Sequence, residues 1–593
     1  MARDMPGNDA HPVIIIGGGP VGLSASILLS LRGISNILFE RHPGTSIHPK
    51  ACGINQRTTE IFRVMGIEEE VYTHSAPKEI AGATAWYTSY GPQGREIFSR
   101  SAWGGGEDEA EYATFSPSRY CIVPQIRLEP ILKRKAEELN PDGILFYHEV
   151  VSISDHETCP TVTVKNRNTG ESQDYRSLYL IVADGGRMFT KELGAEWSGE
   201  PDILNMNSAH IRAPIRPHQP DKRIWMTWFT NPEMGGSTRT GYLYQLGPWP
   251  EAMTNPDVEE WMFACASTED DPPKFDENTI LTRLRKTIGI PDLKIELLSL
   301  SHWTVNAIYA SKWRMGRTFL VGDSAHRIPP WGALGMNSGI QDVQNLIWKL
   351  ALALKDPVQY YALLDTYETE RYEIGKRVGQ SSLNNMRSHS AKIDQAIGIS
   401  ARQTRAENVA AAESFFNKDD PDYAHKRAAI AAASKDLDTE FKAPGYEVGW
   451  YYPSADINAE GGATHGGQQL PDGTLVHDKY FINTIPGHHL PHAWLELGDK
   501  SLAIRDLLDM NLLTLFVEND QIVIRDPRVQ VVVVGGPIGW KDTTGQWQKY
   551  RGVDSSGGVL VRPDGIVAWR GVVEGVDEQS FVTLVNTILK AGA

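Results

Sequence analysis

The apolar positions along this chain sketch a buried parallel sheet, an alternating sheet and a long helical tract. Val13–Ile16 is a short β-branched run of the kind that fills a strand covered on both faces. Leu23, Ile27 and Leu31 follow at a spacing of four and mark one face of a helix, which Gly33 closes. Asn36–Glu40 is the next strand, so residues 13–40 read as one β-α-β unit. Leu178–Ala183 and Thr318–Val321 are two further buried strands, one ending at Asp184-Gly185 and the other at Gly322-Asp323. Between 200 and 305 the pattern alternates, as in Arg223–Phe229 and Gly241–Leu246, and predicts an antiparallel sheet rich in aromatics. Helical spacing dominates from Asn337 to about Ala443, and the Ala-rich, charged stretch 401–441 reads as a solvated helical face. After the Gly-rich stretch 460–467, strands recur at Leu512–Val517, Val529–Val534 and Val559–Arg562. Asp564-Gly565 then signals a hairpin into Ile566–Trp569, and residues 578–591 form a closing helix.

Composition narrows the class without naming an activity. A chain of 593 residues has room for two to four domains, and 41% hydrophobic with 22% charged residues suits a globular protein. The net charge of −16 repels phosphate backbones, which disfavours a nucleic-acid partner. No apolar run approaches the ~18 residues of a membrane helix, and the N-terminus lacks a signal core, so a cytoplasmic protein without a membrane partner is expected. The four cysteines, Cys52, Cys121, Cys159 and Cys265, are scattered and form no paired motif, which fits a reduced compartment. No metal site is expected; His488, His489 and His492 lack the further ligands one would need and read as loop packing.

The chemistry is carried by glycines and acids at strand ends. Gly17, Gly19 and Gly22 fit G-x-G-x-x-G between a strand and a helix, with Pro20 at the helix start. The first glycine permits the turn, the second a close approach of backbone to a pyrophosphate, and the third close helix–strand packing. Glu40 lies 18 positions beyond Gly22, at the end of the second strand, where an acid accepts hydrogen bonds from ribose hydroxyls. This pattern does not separate NAD from FAD. Gly322-Asp323 puts a second carboxylate at a strand end, and Gly332, Gly335 and Asn337 then lead into a helix that offers backbone amides to an electron-rich ring. The two motifs together point to FAD gripped from both ends.

The order Gly17–Gly22, Glu40-Arg41, Asp184-Gly185, Gly322-Asp323 resembles the para-hydroxybenzoate-hydroxylase-type aromatic monooxygenases. Segments 48–63, Pro124-Gln125, 325–337 and 342–349 are similar to the phenol hydroxylase and 2,4-dichlorophenol 6-monooxygenase group within them. Segments 486–494 and 561–570 look like that group's thioredoxin-like C-terminal domain, here without any cysteine. The resemblance implies an α/β fold: a Rossmann-type FAD-binding domain (10–200 and 306–400), an inserted antiparallel substrate sheet (201–305), a helical segment and linker (401–465), and a thioredoxin-like domain (466–593).

It also implies roles. Gly17, Gly19, Pro20, Gly22, Glu40 and Arg41 would hold the adenosine half, and Gln125, Gly322 and Asp323 the ribityl and pyrophosphate part. Gly335, Met336 and Asn337 would face the isoalloxazine, and Asp184 would support FAD and a passing nicotinamide nucleotide. Pro330 would present its carbonyl beside the reacting flavin edge. Lys50 stands where the family usually has Arg, and Cys52 where relatives carry Asp or His near substrate. A cysteine is an unlikely base there, which leaves Tyr242 and Tyr244 as candidates for taking a phenol proton; packing aromatics is their alternative reading. The implied activity is hydroxylation of a small phenolic substrate, ortho to its oxygen, with NADPH or NADH and O2 through a C4a-hydroperoxyflavin, in a homodimer. A Baeyer–Villiger or ring-modifying monooxygenase would share every motif, and a non-catalytic flavin-scaffold protein would share most.

Overall fold

The structure is a computed structural model that describes residues 10–452 and 476–591. The Gly-rich stretch 460–467 lies outside the described residues.

The first sheet runs in the order Arg314–Met315, Thr318–Leu320, Ser172–Val182, His11–Ile16, Asn36–Glu40, Ile144–Phe146. All neighbours in this row are parallel except the first pair; Thr161–Asn166 adds antiparallel to Ser172–Val182 and His148–Ser154 to Thr161–Asn166, which makes eight strands. The strand His11–Ile16 at its centre has Val13, Ile14 and Ile15 fully buried. Pro20–Ser30 packs on one side, and the long helix Gly335–Lys355 packs against Pro20–Ser30. These helices carry Leu23, Ile27, Ile340, Val343 and Ile347 into a single core with the strands.

The second sheet also has eight strands, in the order His326–Arg327, Glu296–Ala310, Trp197–Arg212, Glu260–Ala266, Gly241–Gly247, Met226–Phe229, Ala83–Tyr87, Glu96–Ser101. It is therefore wider than the interval 201–305 that alternation marked. Its last two strands come from residues 83–101, and Met226–Phe229 pairs Ala83–Tyr87 in parallel, the one parallel pairing recorded in this sheet. Register sets Trp228 opposite Tyr242 and Met226 opposite Tyr244, so alternate residues share one face.

The stretch 401–441 corrects the expectation of a solvated face. Helices Arg405–Phe416 and Tyr423–Asp436 do expose their charged residues, but Ala412, Phe415, Ile430, Ala433, Leu437 and Phe441 are buried in one cluster with Trp86, Trp103, Trp225 and Tyr244. Alanine-rich helices bury their small side as effectively as leucine-rich ones when the facing surface supplies large aromatics.

The C-terminal sheet has the order Val529–Val533, Leu513–Val517, Gly557–Val561, Val567–Val572. Its first pair is parallel although the connecting residues 518–528 contain no helix. Gly565 takes φ +79 in the expected hairpin, and the helix Glu578–Ile588 closes the unit, capped by the Asp577 side chain on the Ser580 amide. Leu513, Leu515, Leu560, Phe581 and Val585 join the same core cluster as the first sheet. His488, His489 and His492 are all buried, and their rings lie against Tyr451, Trp450 and Trp494, at 4.7, 4.3 and 5.2 Å.

Candidate active site

The Gly17–Gly22 turn joins the central strand to its helix. Gly17 takes φ +107, and a Cβ there would lie 2.2 Å from the Ala183 carbonyl oxygen. A Cβ on Gly22 would lie 1.9 Å from the Gly17 carbonyl oxygen. Both positions are closed to any side chain. Gly19 is different: nothing lies within 4 Å of its would-be Cβ, and as N-cap it makes no side-chain bond to the helix amides. The helix thus presents uncapped donors and its positive end to open space, which is the form of a phosphate cradle. Glu40 reaches back to the turn, accepting from the Gly18 amide at 2.7 Å and from the His42 amide at 2.8 Å. Arg41, beside it, donates from Nε to His42 Nε2 at 3.3 Å.

The two Gly/Asp motifs, 138 residues apart, interlock beside this turn. Ser324 donates to Asp184 at 2.7 Å, and the Gly186 amide bonds both Asp184 (2.8 Å) and Ser324 (3.3 Å). The other Asp184 oxygen accepts from the Met188 and Phe189 amides. Asp184 is thereby engaged in building the turn, through Ser324 and the amides of Gly186, Met188 and Phe189. Gly322, at φ +57, meets Val21 of the Gly-rich helix at 3.0 Å from a would-be Cβ, and its amide is held by Asp342 at 3.0 Å. Asp342 is itself clamped by His326 and Arg371, each at 2.8 Å, all three side chains fully buried.

Asp323 is exposed on the floor of the cleft between these turns, and no side-chain hydrogen bond is recorded for it among the described residues. The surrounding protein raises its carboxyl above the usual range, while His326, Arg327, Lys50 and Arg187 pull the other way. An acid left unpaired among cations, beside a phosphate cradle, fits the ribityl and pyrophosphate part of a flavin dinucleotide.

Residues 42–52 form the rim. Lys50 is exposed and takes φ +49, a conformation uncommon for a residue with a side chain. Gln125 starts the helix Gln125–Leu139, its amide bonding the carbonyls of Pro49 and Ala51 at 3.0 and 2.9 Å. Its side-chain nitrogen donates to Glu129 at 2.5 Å, and Glu129 also accepts from the Ser46 amide, so these two residues hold the rim in place. Across the cleft, Pro330 is exposed and its carbonyl accepts from the Ala333 amide at 3.0 Å, leaving one lone pair free. Gly335 and Met336 open the helix Gly335–Lys355, and Met336 is half-buried. The Asn337 side chain is buried at the start of this helix. Its side chain bonds the Asn55 amide (3.0 Å) and the carbonyls of Gly53 (3.0 Å) and Ala333 (2.6 Å). It staples the helix start to the rim, and only backbone at this position is left to face a ring.

Beside the Pro330-Trp331 loop the second sheet packs into a cluster of buried aromatic side chains. Cys52 is buried in it, with the thiol pushed up to about 12 by burial. Tyr242 and Tyr244 stack at 6.1 Å on the sheet face, and burial raises both hydroxyls above the ordinary tyrosine range. All three stay protonated at neutral pH, so none of them is a base. Sequence reading missed much of this cluster: Trp86, Trp103, Tyr120, Trp331, His389 and Phe441. They come from six separate segments with no shared periodicity, and only Trp331, next to Pro330, stood beside a recognised motif.

The glycine turn and the interlocked Gly/Asp motifs define a dinucleotide-binding protein with a cluster of buried aromatics beside its Pro330-Trp331 loop. Residues 10–382 match the FAD binding domain family, and residues 483–591 match the family described as aromatic-ring hydroxylase, C-terminal. The chain is 33% identical to phenol 2-monooxygenase of Pseudomonas sp. (strain EST1001), over 94% of this chain and 89% of that one. It is 28% identical to 2,4-dichlorophenol 6-monooxygenase of Delftia acidovorans, over 94% of each chain. The flavin-dependent monooxygenase PieE, solved with FAD and substrate, superimposes with a TM-score of 0.88 at 30% identity, over 99% of this chain and 100% of that chain. Aklavinone-11 hydroxylase shares the fold, with a TM-score of 0.77 at 23% identity over 99% of this chain and 100% of that one. The chain belongs to the FAD-dependent aromatic-ring hydroxylases and is an oxidoreductase of the flavin monooxygenase type.

Proposed function

We propose that this enzyme hydroxylates a phenol at the carbon ortho to its oxygen, using O2 and either NADPH or NADH. The observation that supports the reading is the aromatic cluster: Trp228 and Tyr242 pack with Trp331, the residue after Pro330, and Tyr244 and Cys52 lie in the adjoining cluster. Bound and reduced by the nicotinamide nucleotide, FAD supplies the activated oxygen.

The residues of the chain bind, orient and exclude water. Gly17, Gly19, Pro20, Gly22, Glu40 and Arg41 take the adenosine end. Gly322, Asp323 and the rim held by Gln125 take the middle of the dinucleotide, with Asp184 acting through Ser324 and the Gly186 amide. The amides of Gly335, Met336 and Asn337 would face the ring system, and the Pro330 carbonyl would be offered to its reacting edge. Lys50 adds positive charge without the bidentate fork of Arg. The protonated Tyr242 and Tyr244 donate hydrogen bonds and shape the pocket rather than remove protons. The apolar cluster keeps water from the oxygenating group, which would otherwise be lost as peroxide.

A second reading, a fused-ring natural product as substrate, is favoured by the full-length match to PieE and by 30% identity to a putative polyketide hydroxylase of Streptomyces coelicolor. A screen of simple phenols and polycyclic phenols, following nicotinamide oxidation and product mass, separates the two. A compound that speeds oxidation and gains one oxygen atom supports the reading; oxidation that yields only peroxide with every phenol counts against it. A cytoplasmic homodimer completes the proposal, and light scattering of the full chain measures the latter.

A further inference from the structure

The aromatic cluster contains one side chain that the sheet and the flavin motifs do not account for. His389, on the helix Asp365–Ile397, is buried, and so is its partner Glu440 on Asp438–Phe441. The imidazole Nδ1 lies 2.7 Å from Glu440 Oε2. A carboxylate only accepts, so this contact requires Nδ1 to carry the hydrogen, and in the neutral imidazole Nε2 then holds the lone pair. Nε2, on the other side of the ring from Glu440, is buried and has no hydrogen-bond partner in the structure.

Its surroundings place it among the aromatics of this cluster. The ring lies 4.0 Å from Trp228, 5.5 Å from Trp86 and 6.1 Å from Phe441. Trp228 in turn stacks on Tyr242 at 4.7 Å and packs in one cluster with Trp331, the residue after Pro330. Trp228 Nε1 and the Tyr120 hydroxyl are likewise buried without partners. Buried polar atoms usually find a partner, and two of these, on His389 and Trp228, sit on rings in direct contact. Trp228 offers a donor and His389 an acceptor on adjacent rings. A phenolic hydroxyl satisfies both, accepting from the first and donating to the second.

We propose that His389, oriented by Glu440, binds the substrate's phenolic hydroxyl and takes its proton. The O–H bond breaks and an N–H bond forms at Nε2. The electron pair stays on the phenolate oxygen, and the imidazolium is balanced by the Glu440 carboxylate. Charge left on oxygen raises electron density at the ortho carbon. The other titratable groups that face the pair are Asp394 on the same helix and Tyr242 on the sheet. Tyr242 is held protonated and Asp394 is occupied by Ser237 at 2.8 Å, so neither replaces His389. The inference rests on the hydroxylase reading.

The test uses the FAD-loaded enzyme and 4-nitrophenol, whose phenolate absorbs in the visible, at a pH where the free probe is neutral. Wild type should generate the phenolate band on binding. His389→Asn should remove at least nine-tenths of it and lower turnover of a hydroxylated phenol by on the order of 10²-fold, with flavin content unchanged. Glu440→Gln keeps the imidazole but frees its tautomer, and should weaken the band several-fold; it serves also if the histidine variant does not fold. Wild type that binds the probe in its neutral form, or variants that ionise it as fully as wild type, would overturn the role of His389 and leave the hydroxylase intact. A wild type that binds and hydroxylates no phenol counts against the hydroxylase reading itself.

Discussion

Arg562 of the C-terminal sheet grips Glu370 of the long helix Asp365–Ile397 with two bonds, Nη1 to Oε1 at 2.6 Å and Nη2 to Oε2 at 2.9 Å. The same carboxylate takes Lys349 and Asn345, each at 2.7 Å, and Arg562 also forks onto Asp564. The network is buried and fully paired, so the C-terminal unit is fastened to the helices behind the flavin motifs rather than tethered by a linker. The paired cations hold the Glu370 carboxyl far below its ordinary range against the opposing effect of burial.

Arg562→Met should therefore leave Glu370 and Asp564 short of their partner in the interior. A loss of about 3–5 kcal/mol is expected from breaking a buried pair on one side. Urea unfolding of the flavin-loaded protein measures it, and a shift below ~1 kcal/mol, the value of a surface pair, would contradict the network's role. Combining it with Glu370→Gln should recover part of the loss, since the two residues are in contact.

Glu447 is buried, accepts from the Ala443 amide at 3.0 Å, and has its carboxyl raised from 4.5 to about 7, chiefly by burial. The folded protein holds this proton more tightly than the unfolded chain does. Its contribution to stability is complete below about pH 4.5 and is lost as pH rises through about 7. Glu447→Gln should flatten the stability profile in that window by on the order of 3 kcal/mol, read from denaturation at a series of pH values. An identical slope in both proteins would remove Glu447 as the cause.

Gly22 and Gly19 should separate folding from binding. A methyl at Gly22 meets backbone at 1.9 Å, so Gly22→Ala is expected to unfold the turn and lose flavin together. Gly19 is extended, with φ −78 and ψ −176, and has open space around it. Gly19→Ala should fold with its melting temperature unchanged yet bind FAD at least about tenfold more weakly, a loss of roughly 1.4 kcal/mol. Tight flavin retention by this variant would show that the pyrophosphate lies elsewhere.

Asp323→Ala removes an exposed carboxylate for which no side-chain hydrogen bond is recorded. Apoprotein stability should change by less than ~0.5 kcal/mol, while the purified protein should lose its yellow colour on dialysis. A stably yellow variant would refute the assignment.

Much of the flavin cleft was legible because its signals are local. A strand, a glycine turn, a helix and a terminal acid follow one another within residues 11–40, and steric rules tie each glycine to its position. Resemblance added the rim and the Pro330 loop. Where the Asp184 and Asn337 side chains go shows only when every donor and acceptor near them is located: Asp184 holds Ser324 and three amides, and Asn337 the backbone of Asn55, Gly53 and Ala333. The burial in 401–441 escaped notice because alanine carries almost no periodic signal on its own.

The amino-acid sequence by itself determined that a parallel-sheet nucleotide fold would form and that FAD would be its ligand, since chain neighbours and fixed spacings carry both. Tertiary structure alone decided what surrounds the substrate. His389, Trp228, Tyr120 and Trp331 lie far apart along the chain, and a group's protonation, exposure and free lone pairs depend on neighbours that only the packed fold supplies.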